Sequence, residues 1–404
     1  TFANNNITGT YTGAYLYAES SNNTNITFTD NNITGTYGVG LDVNSSINTN
    51  IIFTDNNITG TSVYGVILSA YSSSINTNIT FANNNITGRD YGVYLNASSS
   101  INTNISFTDN NITGRDYGVG LEAYGSINTN ISFTNNNITG TSGDGVGLYA
   151  DSSSINTNIT FTDNNITGTY SVSLSATYSI NTNISFIDNN ITGRDYGVYL
   201  NVFNSNNTNI SFIDNNITGT SDYGVILNVF RSNNTNISFT NNNITSTSGD
   251  GVDLGATYSI NTNISFTDNN IIGNNYSVVL HVDSSINTNI SFTDNNIIGT
   301  DYGVHVRSYD GNVSGVMFLN NTINATGGSG FYFVNHYNVP INVTDFVIRG
   351  NTIFANNTGL NFSGLKTGSL VNVTVEYNRI IAPVGVNLNG YDNGSSFDFN
   401  WWGV

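Results

Sequence analysis

With 404 residues the chain has the length of two or three ordinary domains, yet charged side chains make up only 8% of it, so its solubility rests on Asn, Thr, Ser and Gly. The charges are unbalanced, 26 acidic against 8 basic for a formal net charge of −18, which repels a nucleic-acid backbone and excludes DNA and RNA as partners. Lack of cysteine excludes disulfides, thiol catalysis and thiolate metal sites, and no run of about 18 apolar residues is present to span a membrane.

The chain opens directly in a repeat, without Met or a leader, as a processed form or a piece of something longer would. Phe2 begins a column that recurs roughly every 26 residues, at Phe28, Phe53, Phe81, Phe107 and onward to Phe292 and Phe318, with looser copies led by Ile348 and Val375. Five residues after each leader stands an Ile, from Ile7, Ile33 and Ile58 to Ile323, Ile353 and Ile380. A V-x-L pair follows after a variable gap, as in Val39/Leu41, Val93/Leu95 and Val225/Leu227, and an I-x-F pair such as Ile105/Phe107 leads into the next bend. Apolar and polar residues alternate within each segment, the period of a half-buried strand. Three short strands per turn follow, while the Asn, Thr, Ser and Gly content and the lack of a 3.6-residue stripe argue against helices.

Same-sense strands in successive turns must pair in parallel, and parallel crossovers are right-handed. The predicted fold is therefore all-β: a single-stranded, right-handed parallel β-helix, or β-solenoid, of about 15 turns and about 70 Å length. A constant period makes this one elongated unit, with regular turns over 1–308 and degenerate repeats plus a cap over 309–404. Length varies only in the G-T-S-x-x or G-R-D-Y stretch and in S-S-I-N-T-N, which are the expected surface loops.

Three residues after each leader lies an asparagine: Asn5, Asn31, Asn56, Asn84, Asn110, Asn136, Asn164, Asn189, Asn215, Asn242, Asn269, Asn295, Asn321, Asn351 and Asn378. Inward positions lie an odd number of residues apart across it, so the chain must bend there. Asn tolerates the left-handed backbone of such a bend, and its amide carries both donor and acceptor, so stacked copies can bond one another as an asparagine ladder.

The stretch G-V-Y-L-N-A-S-S-S-I-N-T-N-I-S-F-T-D-N-N-I-T-G, Gly92 to Gly114, resembles the parallel β-helix repeat, which is shared by polysaccharide lyases and surface proteins and so implies fold rather than function. The ending F-N-W-W-G, Phe399 to Gly403, together with the Asn/Thr richness, resembles adhesin-like and sheath-forming surface proteins of methanogenic archaea. That resemblance implies an extracellular glycoprotein of an archaeal cell envelope.

Interchangeable turns present identical groups and no constellation, so catalysis is sought only where repetition fails: His305, Arg307, Asp310, His336, Asp345, Arg349, Lys366, Glu376 and Arg379. The plainer reading of that region is a cap. An Asp precedes the ladder in many turns, among them Asp163, Asp188 and Asp214; neighbouring carboxylates about 5 Å apart could recruit calcium, against the plainer reading that they face water and cap the bend. No cofactor is expected beyond that calcium alternative. Tyr37, Tyr64, Tyr91, Tyr117, Tyr196, Tyr223 and Tyr302 recur in Y-G-V, either as a packing ladder or as a platform for sugar rings. Sequons are dense; Asn25, Asn78, Asn104 and Asn130 are candidate glycosylation sites on outward strand positions.

The expected function is structural rather than enzymatic: an extracellular, self-assembling sheath, surface-layer or filament subunit, with cell-surface glycans as further partners. Its self-assembly ends would be Phe2 and Ile7 on one side and Trp401 and Trp402 on the other, since an open strand edge templates another copy, giving an amyloid-like stack. The alternative is a polysaccharide lyase or hydrolase on the same scaffold.

Overall fold

The computed structural model describes residues 1–71, 74–75, 77–151, 155, 157–283, 285–286, 288–308, 312–335, 342–362, 365, 370–388 and 392–403. It is an all-β parallel solenoid of about 14 turns. Among the described residues there is no helix, and hence none long and apolar enough to cross a membrane. The backbone groups two compact units, Thr1–Tyr199 and Leu200–Val404; the change to degenerate repeats after residue 308 falls inside the second.

A representative turn of the first unit has strands Asn104–Thr108, Asn111–Gly114 and Tyr117–Glu122. Pairing with the turns on either side is parallel and in column: Phe81, Phe107 and Phe133 are partners, as are Ile86, Ile112 and Ile138, and Val93, Val119 and Val146. The second unit repeats this, with Phe239, Phe266 and Phe292 in one column. Those inward residues are fully buried, and their rings stack, as at Phe107–Phe133, 4.9 Å apart and 7° from parallel. Burying one such side chain is worth about 1.5–3 kcal/mol, so the Phe, Ile, Val and Leu columns carry most of the stability.

The bends refine the sequence reading. Left-handed backbone falls on the residue before each ladder asparagine, not on the asparagine itself: Asp109 has φ 56°, Asn135 54° and Asp163 55°. The αL region is open mainly to Gly, Asn and Asp, which explains why that column is Asp or Asn from Asn4 to Asn320 and then Gly350, with Tyr377 the one exception before Asn378. A second bend uses the same device at S-S-I-N-T-N. There Asn204, Arg231 and Tyr258 take φ of 49°, 50° and 51°, and the following Ser205, Ser232 and Ser259 form a serine ladder in which the N–H of each donates to the next Oγ at 3.2–3.3 Å. Serine and threonine thus point inward at this corner while the intervening isoleucine stays outside; Ser126 and Thr129 are buried, and Ile127 between them is 38% exposed.

Candidate functional site

The ladder column is buried from Asn31 onward. Asn84 donates through Nδ2 to Asn110 Oδ1 and to the carbonyls of Phe53 and Ala82, all at 3.0 Å, and its main-chain N–H reaches Asn110 Oδ1 at 2.9 Å. Asn56, Asn110, Asn136 and Asn164 repeat the pattern in the first unit, reaching Asn189. In the second, Asn215, Asn242, Asn269, Asn295, Asn321 and Asn351 continue it to Asn378. Asn5 differs in being exposed, although its Nδ2 bonds Asn31 Oδ1 at 3.1 Å. Amides so fully engaged hold the bend and have no capacity left for a ligand.

F-N-W-W-G belongs to the same corner. Asn378 Nδ2 donates to Asn400 Oδ1 at 2.9 Å, and Trp402 pairs with Ile380. The signal was present in the sequence, since Phe397, Asn400 and Trp402 keep the leader, plus-three and plus-five spacing. Trp401 and Trp402 are 54% and 46% exposed, with the Arg379 guanidinium 5.3 Å from the Trp401 ring. At the other end Phe2 stacks on Phe28 at 4.8 Å, and Ile7 is half-buried.

Among the described residues, the charged side chains of the last quarter do not gather into one group. Arg349 Nη2 pairs with Glu376 Oε2 at 2.9 Å, and Ser396 Oγ donates to Glu376 Oε1 at 2.9 Å; Asn372 donates to Asp345. Asp310, His336 and Lys366 lie outside the described residues. The exposed Asp column sits on the αL positions, and among the described residues no three His, Asp or Glu side chains gather as a metal site requires. The sequon asparagines stand in ladders of their own on the surface: Asn25 Oδ1 accepts from Asn50 Nδ2 at 3.1 Å, Asn78 Nδ2 donates to Asn50 Oδ1 at 3.0 Å and Asn130 Nδ2 to Asn104 Oδ1 at 3.0 Å, Asn50 itself lying outside any sequon.

The most developed surface feature lies on the outer face of the V-x-L strands of the first unit. Tyr37, Tyr64, Tyr91 and Tyr117 stack with ring centroids 5.7, 5.1 and 4.9 Å apart, so that this row alone shows edges and hydroxyls rather than open ring faces. Tyr94 adds a second row, 5.5 Å from both Tyr64 and Tyr91. In the next two turns its place is taken by Gly120 and Gly147. A Cβ on Gly120 would come within 3.2 Å of the Tyr91 ring, and one on Gly147 within 2.7 Å of Tyr117. Bare strand is what lets those rings lie down on it.

The result is a groove of about 210 Å³ walled by Tyr91, Tyr94, Tyr117, Glu122, Tyr124 and Tyr149. Tyr94 Oη donates to Glu122 Oε2 at 2.8 Å. Burial, with the carboxylate of Glu122 beside it, holds the Tyr94 hydroxyl above the ordinary range, and burial pushes Tyr91 up to about 12. These phenols therefore remain donors at any physiological pH. At the next rung Asp144 stands in register with Tyr117, where the column would otherwise carry Tyr; burial alone pushes its carboxyl up to about 7. Aromatic walls, fixed hydroxyl donors and one carboxylate acceptor form a surface suited to a pyranose, whose C–H face is apolar and whose rim is polar.

Sequence reasoning missed another assembly. On three consecutive turns of the second unit, Asp253, His281 and Arg307 come together, with Asp253 Oδ1 3.5 Å from His281 Nε2 and Asp253 Oδ2 3.9 Å from Arg307 Nη2. Asp253 and His281 stand on turns whose inward Val and Leu columns match their neighbours, and inward repetition carries no information about what stands outward.

No protein-family model matches the chain, and no curated protein matches it in sequence. Solved structures similar in fold include the Dettilon tailspike protein gp208, with TM-score 0.41 and 13% identity over 80% of this chain and 62% of the tailspike. Others are the periplasmic alginate epimerase AlgG, with TM-score 0.40 and 12% identity over 84% of this chain and 77% of the epimerase, and PfbA, a surface adhesin of Streptococcus pneumoniae, with TM-score 0.44 and 10% identity over 77% of this chain and 85% of the adhesin. The chain thus spans 62% of the tailspike's length. The expectation that the chain is not an enzyme is corrected here: the similar structures include an epimerase, and near-identical inward columns do not prevent outward residues from forming a constellation. What these structures share with the chain is the parallel β-helix fold.

Proposed function

We propose that the chain is an extracellular surface protein of the cell envelope, a sheath, surface-layer or filament subunit in role, and that it holds polysaccharide along the tyrosine strip of its first unit. The observation that carries this is the groove at Tyr94 and Glu122, where aromatic surface, phenol donors and a carboxylate meet on two glycines. The full chain applied to a glycan array should retain a hexose-containing polymer. Combining Tyr94→Ala with Glu122→Gln should weaken that binding by about 1.5–3 kcal/mol, tenfold or more, through loss of one aromatic contact and one charge-assisted bond. Retention unchanged in the double variant would sink the reading. Release of reducing or unsaturated ends in the same samples reads out whether the bound polymer is also cut.

Self-association is a second part of the proposal, supported by the exposed Phe399, Trp401 and Trp402 at the final corner. Sedimentation should show species above the monomer that Trp401→Ser with Trp402→Ser dissolves, and aligned assemblies should diffract at about 4.8 Å along the axis. A stable monomer without that repeat sinks this part. Glycosylation at Asn25, Asn78, Asn104 and Asn130 also belongs to the proposal. The support is their outward placement, and mass spectrometry of native material decides it.

A further inference from the structure

We infer that the second unit carries a separate saccharide site, in which Asp253, His281 and Arg307 surround a notch left open by Gly255, and that it takes one neutral sugar residue through a pair of adjacent hydroxyls. The notch follows from register. Gly255, His281 and Arg307 occupy one outward column on consecutive turns, and Asp253 stands two residues before Gly255 on the same face. A Cβ on Gly255 would meet only Asn228 Oδ1 at 3.1 Å and the Leu227 carbonyl at 3.8 Å. The outer position of that turn is therefore open, bounded by Asn228 on one side and His281 on the other.

The groups around it suit a diol. Carboxylate and guanidinium are planar and make two parallel hydrogen bonds, and an amide supplies a donor and an acceptor. Asp253 and Arg307, at 3.9 Å, are too far apart to saturate each other, and Arg307 Nε is buried without a hydrogen-bond partner among the described residues. The side chains of Asp253, His281 and Arg307 are 20%, 13% and 19% exposed, which is reachable yet partly dry, so polar contacts count for more than on open surface. Behind them His305, 6% exposed, is packed among Tyr276, Tyr302 and Tyr332 at 4.6, 5.8 and 5.4 Å, a rigid wall that fixes the column.

Charge selects the sugar. Asp253 faces the notch with Asp250 close by, so a uronate is repelled while Asp253 is ionised. Burial pushes Asp253 up to about 6, with Arg307 pulling it down and Asp250 adding to the rise. Asp250 is itself raised by burial, against the Tyr276 N–H and Arg307. With Asp253 protonated below that pH, and His281 and Arg307 beside it, the repulsion of an acidic sugar falls away.

The test is calorimetric titration of the full chain carrying Tyr94→Ala and Glu122→Gln, which removes the strip of the first unit, with mannotetraose, cellotetraose and tetragalacturonate. At pH 7.5 at least one neutral tetrasaccharide should bind and tetragalacturonate should not; at pH 5 tetragalacturonate should bind. Adding Gly255→Val, which fills the notch at a half-buried strand position, or Asp253→Asn should weaken the neutral ligand at least tenfold while the circular dichroism spectrum remains that of the folded solenoid. The inference is overturned if Gly255→Val leaves affinity within twofold, or if tetragalacturonate binds equally at both pH values. It is also overturned if no neutral sugar binds; wild-type binding lost in the strip variant would then leave the strip standing alone.

Discussion

A single ladder asparagine answers to three acceptors and two donors. Asn164 donates to Asn189 Oδ1 and to the carbonyls of Phe133 and Thr162, and accepts from Asn136 N and Nδ2. Replacing it by Leu keeps the volume but strands these groups, at about 1–3 kcal/mol for each one left buried and unsatisfied. Urea titration should show that loss, whereas Asn137→Ala, in an exposed ladder, should stay within about 0.5 kcal/mol. Asp144 behaves in the opposite sense. Its carboxyl, ordinarily at 3.8, is raised to about 7, so the folded chain binds the proton more tightly than the unfolded chain. Stability from this group is present below pH 3.8 and is lost as pH rises through about 7. Asp144→Asn should therefore raise the melting temperature at pH 8, by the equivalent of about 1–4 kcal/mol, and change nothing near pH 4; an equal effect at both pH values would show that the carboxyl stays hydrated. The ladder positions were legible because one residue type repeats at fixed spacing. The αL residue was not, because Asp-Asn and Asn-Asn put two tolerant residues side by side and spacing cannot choose between them.

At the level of strands, inward residues form columns whose deletion leaves a void that in-register neighbours cannot fill. Phe133, stacked between Phe107 and Phe161, should cost about 3–5 kcal/mol as Ala, read by chemical denaturation. The corner at S-S-I-N-T-N gives a sharper contrast. Ile127→Lys should be tolerated within about 0.5 kcal/mol and Ile131→Lys should unfold the turn, since the first is 38% exposed and the second 1%. Period-two alternation made the three strands readable, but each αL residue resets the parity of what points inward. The Ser and Thr of S-S-I-N-T-N, expected on a surface loop, are therefore buried, while Ile127 stays outside as a loop residue would. Likewise the tyrosine row was legible as a column. The groove was not, because it depends on Gly120 and Gly147 standing where Tyr94 stood a turn earlier, and that is visible only once register is known.

For the molecule as a whole, stability is a sum of turn contributions and nearest-turn terms, so no single turn is indispensable. Removing Asn104–Thr129 joins Thr103 to Asn130, which pairs with Asn104 in the same column, and leaves every inward position matched. That shortened chain should keep its circular dichroism per residue and unfold cooperatively, while losing Tyr117 and Glu122 and with them the saccharide retention of the strip; a collapsed spectrum would mean that the turns are not interchangeable. The same register bears on heredity. Coding segments that repeat in phase invite misaligned crossing-over, and each exchange inserts or drops one complete circuit with its columns intact. Such a gene can change the length of its product in single steps while folding is preserved, so that populations can carry alleles of many sizes.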